Sequence, residues 1–217
     1  MIKVNNIKVE MMSTAIRGMR NPKDSWDKSD SGTDENGTFI IGENDLKLAK
    51  SLISAGSVHR KFLRQIFVGM DITAPLYWWK EFDTYKVGTV SDSCSTMHTI
   101  TKKEITAECF SSESIYNDTS FESNLAYYII NFDNLIKCLE HLRKKYNETK
   151  NKIYFTKIIQ MLPSSWNQMR TVTFSYENAL AFYHDRRSHR LDEWVNFVNI
   201  ISEKLPYLKE FIEAAYK

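Results

Sequence analysis

The sequence predicts a helix-rich α+β protein, and three observations carry that prediction. Glycine and proline are scarce, at 7 and 4 of 217 residues, which is too little turn chemistry for the many reversals of an all-β chain. Long stretches place apolar residues at helical spacing, while shorter ones alternate as half-buried strands do. Hydrophobic residues make up 42% and aromatic residues 13%, enough at this length to bury one full core, so residues 1–217 read as a single domain.

The elements follow in order. Residues 2–11 alternate apolar and polar and read as a strand, and residues 13–19 make a short helix stopped at Asn21-Pro22, because the position before a proline disfavours helical geometry. Residues 21–38, rich in Asp, Ser, Asn, Gly and Lys between Asp24 and Gly37, read as a mobile surface loop. Leu46, Leu48, Ala49, Leu52 and Ile53 share helical spacing, with Asn44 able to cap the start and Gly56 the end. A strand over 67–72 leads to Pro75, well placed at the first turn of a helix whose body is 76–82. Residues 84–99 lose apolar periodicity and read as a loop or irregular strand, the kind of segment that carries function.

The longest helix is marked by Leu125, Tyr128, Ile129, Phe132, Leu135, Ile136, Leu139 and Leu142, a face that belongs to the core. A helix over 153–161 ends at Leu162-Pro163, residues 171–174 alternate as a strand, and 177–184 resume helical spacing. The tail, 191–215, is helical with a break at Pro206.

Charge and cysteine usage exclude several classes. With 29 basic and 27 acidic side chains the net charge is +2, too balanced for a sequence-independent grip on a nucleic acid polymer. Cys94, Cys109 and Cys138 are odd in number, widely spaced and lack a CxxC, which argues against a disulfide framework or structural zinc and fits a reducing compartment. The first residues alternate instead of forming an apolar run, and no later run approaches a membrane span. The expectation is a soluble, cytoplasmic protein with no membrane partner.

No Walker loop, GxGxxG, GxSxG or HExxH is present. Cys94 in Ser-Asp-Ser-Cys-Ser-Thr would need a base such as His98 to become a nucleophile; packing of a small residue is the preferred reading. Asp185, His189 and Glu193 fall at i, i+4 and i+8 and would share one face of an unbroken helix. A solvated, salt-bridged face is preferred there over metal ligation, and no metal is expected. The run from His184 to Arg190 concentrates cations, where guanidinium forks suit a phosphate or a pyrimidine carbonyl and a solvated helix end is the plain alternative. His59, just past the Gly56 cap, is exposed enough to meet a ligand, or to be an ordinary surface residue.

Read together, His59 with Phe62-Leu63 behind it, the run to Ile72-Thr73-Ala74-Pro75, and Leu162-Pro163 followed by Phe182 and Arg186 resemble the flavin-dependent thymidylate synthases. The resemblance covers roughly residues 45–100 and 155–205. The family signature Arg-His-Arg-x-x-Ser-x-x-x-x-Ser-x-Arg is altered here. In the register set by Ala74-Pro75, Thr84-Tyr85-Lys86 stands on Arg-His-Arg, Thr89 on the first serine, Cys94 on the second and Thr96 on the last arginine; a shift of one residue puts Ser95 on the second serine instead. The flavin-contacting Asn-x-Arg reads Ser175-Tyr176-Glu177, a reversal of charge.

The resemblance implies a central, mainly antiparallel sheet flanked by helices and a homotetramer with active sites shared between subunits. It implies a methyltransferase chemistry in which dUMP becomes dTMP, the carbon coming from the folate methylenetetrahydrofolate, with FAD as hydride carrier and NADPH as its reductant. It implies that Lys86, Thr89, Cys94 or Ser95, and Arg186 meet the pyrimidine nucleotide, Arg186 as pyrimidine anchor. His59, Lys80, Tyr85 and Lys86 would lie beside the flavin. Two functions fit these residues: a flavin enzyme making dTMP or a related nucleotide, and a non-catalytic protein that sequesters a nucleotide on the same fold.

Overall fold

The computed structural model describes residues 2–117 and 124–216. It is a mixed helix and strand architecture with an antiparallel sheet flanked by helices. The sheet contains β1 (Lys3–Glu10), β4 (Phe67–Pro75), β6 (Asn167–Ser175) and β5 (Val90–Ser93), in the order β1-β4-β6-β5. A separate hairpin pairs β2 (Gly32–Thr33) with β3 (Phe39–Ile40) antiparallel. In β4 the buried residues Val68, Met70, Ile72 and Ala74 alternate with less buried ones, as a strand with one core face requires. Contacts divide the chain into two compact units. One is built mainly from Ile72–Thr84 and Asp92–Arg170, the other from Val4–Asp71, Tyr85–Ser91 and Thr171–Lys217.

The first unit holds α3 (Leu76–Phe82), α4 (Thr96–Thr99), α5 (Glu113–Tyr116), α6 (Leu125–Thr149) and α7 (Lys152–Met161). Pro75 precedes α3 at its cap, and the first two helical amides donate outside the helix, Leu76 to the Trp166 carbonyl and Tyr77 to that of Ser164, both at 3.0 Å. Those bonds satisfy groups that a helix start leaves without intrahelical partners. Ile100, Ile105, Phe110, Leu139, Leu142 and Ile158 form a buried cluster, with Phe132, Phe155 and Trp166 packed against it. Glu140 pins the 101–105 segment to α6: it accepts from the Ile105 amide at 2.9 Å and from Arg143 through two bonds of 2.6 Å. The Arg143 hydrogen bonds outweigh burial and bring the Glu140 carboxyl down to about 2.

The second unit holds α1 (Met12–Gly18), α2 (Glu43–Ser54), α8 (Tyr176–Arg186), α9 (Asp192–Lys204) and α10 (Leu208–Ala215). Phe62, Phe174, Tyr176, Phe182, Trp194, Phe197 and Phe211 are buried there. Asn44 does not cap α2. The helix begins at Glu43, two residues before the start that an Asn44 cap would set, and the Asp30 carboxylate accepts the amides of Asn44 (2.9 Å) and Asp45 (3.1 Å). A carboxylate lent by the preceding loop does the capping. The loop side chains of Ser29 and Ser31 both donate to Asp45, which is fully buried and paired with Arg20 at 2.5 Å. Asp45 stays lowered despite burial because Ser29, Ser31 and Arg20 all bond its charged form. Gly56, at φ 100°, follows the end of α2, a left-handed position that glycine occupies without strain.

The 84–99 stretch contains both β5 and the short α4. The periodicity was invisible because the four residues of β5 are all exposed. Among the described residues no helix is long and apolar enough to cross a membrane.

Candidate functional site

The run 85–91 lies along α8 and is held at both ends of it. At the start of α8 a capping box joins Ser175 and Asn178, and the Asn178 side-chain Nδ2 donates to the Val87 carbonyl at 2.8 Å. Gly88, at φ 77°, lets the chain turn there; a Cβ at that position would meet the Asn178 Oδ1 at 2.9 Å. The Thr89 hydroxyl bonds the Tyr85 carbonyl and tightens the same turn. At the far end, the Tyr85 hydroxyl accepts from Arg186 Nε at 2.9 Å and donates to Asp185 Oδ2 at 3.2 Å.

Aromatic rings frame that arginine. The Tyr85 ring meets Phe182 edge to face at 4.8 Å between centroids. The Arg186 guanidinium carbon lies 4.7 Å from the Trp194 ring centre and 5.4 Å from that of Tyr85, close enough for cation–π attraction. Burial raises the Tyr85 phenol, and the Arg186 bond offsets it only in part. Tyr85 is therefore a neutral phenol at physiological pH. The Tyr85 ring is thus engaged with side chains of its own chain.

His59 stands exposed after Gly56, its amide bonded to the Gly56 carbonyl at 3.0 Å. Its neighbour Arg60 grips Glu177 in the first turn of α8: Nη2 reaches one oxygen at 2.8 Å and Nε reaches both at 3.1 Å. The Glu177 charge is thereby matched inside the chain. Tyr216 packs against the same helix, 6.2 Å from the Tyr183 ring and 5.1 Å from that of His184. Burial raises its phenol, and Arg60, Asp185, Glu177 and Arg187 all act on it electrostatically. Arg186 lies nine positions after Glu177 along α8, about 13 Å of rise.

His59, Tyr85, Lys86, Thr89 and Arg186 all belong to the second unit, and Lys86 is exposed. Lys80, Cys94 and Ser95 belong to the first. Lys80 is exposed on α3, whereas Trp78 and Trp79 beside it are fully buried and Arg170 lies over Trp79 at 4.3 Å. Cys94 is exposed, with its sulfur 4.0 Å from the Thr99 hydroxyl and its carbonyl accepting from Gln168 at 3.2 Å. Ser95 precedes α4, and its carbonyl accepts from the Thr99 hydroxyl at 2.8 Å.

Asp185, His189 and Glu193 do not share a helix: α8 ends at Arg186, α9 begins at Asp192, and His189 Nδ1 accepts from the Leu191 amide in the break. Among the described residues no group of three or more His, Cys, Asp or Glu side chains is placed to hold a metal ion. Sequence reading missed the Arg60–Glu177 pair and the Trp194 face on Arg186. Arg60 and Glu177 are 117 positions apart, and nothing local marks either as a partner. A sharper reading would have noted that a charge reversed at Glu177 inside the second unit calls for a cation.

The chain matches no known protein-family model and no curated protein in sequence. Solved structures resemble it in fold. Thymidylate synthase X (ThyX) from Helicobacter pylori with FAD and dUMP aligns over 100% of both chains with a TM-score of 0.69 at 14% identity. A second structure of the flavin-dependent thymidylate synthase ThyX from the same organism, complexed with FAD and dUMP, covers 97% of this chain and 96% of that one, with a TM-score of 0.66 at 15% identity. The chain has the fold of these enzymes over its full length.

Proposed function

We propose that this chain binds a pyrimidine nucleotide of the dUMP class together with FAD, and that it serves the methylation of dUMP to dTMP. The observation that carries the reading is Arg186 in the last turn of α8, its plane fixed by the Tyr85 hydroxyl and the Trp194 ring, in a chain whose fold neighbours hold FAD and dUMP. A guanidinium fixed in this way presents donors to a pyrimidine carbonyl at little entropic cost. Thr89 and Lys86, in the same unit as Arg186, are the further nucleotide contacts in this reading.

The residues available for FAD fit an anionic, flat cofactor. His59 and Lys86, both exposed and in the same unit, would bring an imidazole and an ammonium group to its diphosphate and ring edge. Arg60 already spends its charge on Glu177, which leaves the anion to the other cations. When bound, FAD would supply the hydride, with NADPH as its reductant and methylenetetrahydrofolate as the carbon source. The chain's own task would be to hold the pyrimidine and stabilise the negative charge that develops on it, which is electrostatic preorganisation. Assembly as a homotetramer belongs to the same reading.

The test is to add FAD to the purified protein, record its flavin absorption, and then mix it anaerobically with NADPH, dUMP and methylenetetrahydrofolate. A flavin-loaded protein that yields dTMP is the expected result. A loaded protein that binds dUMP without turnover keeps the binding and removes the methylation. A protein that takes up neither FAD nor dUMP overturns the reading.

A further inference from the structure

We propose that the cavity walled by α1, the 26–31 segment and β3 is a second ligand site, built for an aromatic monocarboxylate that carries a ring hydroxyl or amine. The inference goes beyond the nucleotide reading and uses none of its residues. The cavity measures about 310 Å³, at the small end of ligand pockets, which suits one or two rings and is too small for a dinucleotide. Its walls all belong to the second unit. Ile16 and Arg17 come from α1, Arg20 from just past it, Trp26, Ser29 and Ser31 from the loop, and Phe39 from β3.

Charge sets the sign of the ligand and its size. Arg20 is 5% exposed, and its charge is already matched by Asp45. Its Nε donates to the Asp45 carboxylate at 2.5 Å and its Nη1 to the Ser25 carbonyl at 3.3 Å. Among the described residues Nη2 has no hydrogen-bond partner, so it is the donor that this guanidinium keeps for the cavity. Arg17 is placed differently. Its guanidinium carbon lies 5.3 Å from the centre of the Trp26 ring, and no described carboxylate stands within ion-pair distance of it. The lining therefore carries one uncompensated positive charge, and a dianion bound there would leave one of its own charges unmatched. A monocarboxylate fits, with Arg17 and Arg20 Nη2 as its charge-assisted donors.

The loop serines supply the opposite chemistry. Ser29 and Ser31 both donate to Asp45 Oδ2, at 2.6 and 2.5 Å. A hydroxyl has one proton, so toward a ligand both can only accept. The Ser31 oxygen already accepts the Gly42 amide at 3.0 Å, whereas that of Ser29 accepts from no described group. Ser29 thus calls for an O–H or N–H on the ligand. Ile16, Trp26 and Phe39 supply the apolar wall, and the indole is held in place by its Nε1, which donates to Asn21 Oδ1 at 3.0 Å. A flat ring suits such a wall. Asp45, by bonding Arg20 and both serines, sets which atoms of the cavity donate and which accept.

The test titrates para-hydroxybenzoate and its meta isomer into the full-length chain by calorimetry, with benzoate, para-hydroxybenzamide and inorganic phosphate as comparisons. The expected result is one-to-one binding of a hydroxybenzoate. Benzoate, which offers Ser29 no donor, should bind about tenfold more weakly, and the uncharged amide at least tenfold more weakly. Arg17→Gln, at an exposed position, should lose about tenfold in affinity with an unchanged thermal transition, and Trp26→Leu about fivefold. Should either variant fail to fold, the ligand series on the unaltered chain still decides. No binding of either hydroxybenzoate, an amide that binds as tightly as the acid, or phosphate that binds as tightly as either would overturn the proposal. Displacement of the bound probe by dUMP or FAD would make the cavity part of the nucleotide site and overturn it too, whereas a chain that binds the probe but neither dUMP nor FAD would uphold it and remove only the nucleotide reading.

Discussion

The two ends of α8 each hold an arginine, and they hold it in opposite ways. At the first turn Arg60 meets Glu177 through a bidentate carboxylate. That carboxylate is also favoured by the positive end of the helix dipole. At the last turn the Arg186 guanidinium donates to a phenol oxygen and lies against two aromatic rings, at the end of the helix where a cation is favoured. The proposed reading places the nucleotide at the Arg186 end.

The largest expected effect tests that end. Arg186→Ala should lower dUMP affinity about 100-fold, or about 3 kcal/mol, and Arg186→Lys about tenfold, since a lysine keeps the charge but loses the fork. Titration calorimetry reads both; affinities equal to that of the unaltered chain would remove the nucleotide from this helix end.

A second carboxylate pair, in the other unit, shows what a purely structural one does. Glu140 is held at about 2, below its ordinary 4.5, first by the Arg143 hydrogen bonds. Because the folded value is depressed, its stabilisation is full above about 4.5 and is lost as pH falls through about 2. Glu140→Gln should cost about 2 kcal/mol at neutral pH and flatten the acid dependence of unfolding across that window. Urea unfolding at pH 7 and pH 3 measures it, and identical slopes in both proteins would contradict the assignment.

The smallest effect probes the Arg60 end. Glu177→Gln should release Arg60 and raise FAD affinity about fivefold, about 1 kcal/mol, while costing less than about 1 kcal/mol of stability because the pair is partly exposed. Quenching of flavin fluorescence reads the affinity. No gain would show that the Arg60 charge does not reach the cofactor.

How much of this was legible in the sequence follows from the range of each interaction. The helices α6 and α7, the Pro75 start of α3 and the Pro206 break announce themselves through local periodicity and backbone restriction, which any reader of 10 residues can see. The start of α2 was placed two residues late because the carboxylate that caps it comes from Asp30, 14 positions before Asn44. The break between α8 and α9 was hidden because Asp185, His189 and Glu193 keep helical spacing across it; the His189 ring, bonded to the Leu191 amide, marks a turn that spacing alone does not reveal. At the candidate site, Arg186 and His59 could be singled out by residue type and order. Their partners could not, since Tyr85 and Glu177 are joined to Arg186 and Arg60 only by the folding of distant segments.

The most direct measurement is a crystal structure of the protein grown with saturating dUMP and FAD. The account predicts a pyrimidine carbonyl within hydrogen-bond distance of the Arg186 guanidinium, with the Arg186 Nε still bonded to the Tyr85 hydroxyl. A nucleotide bound away from the last turn of α8, with Arg186 untouched, would contradict it.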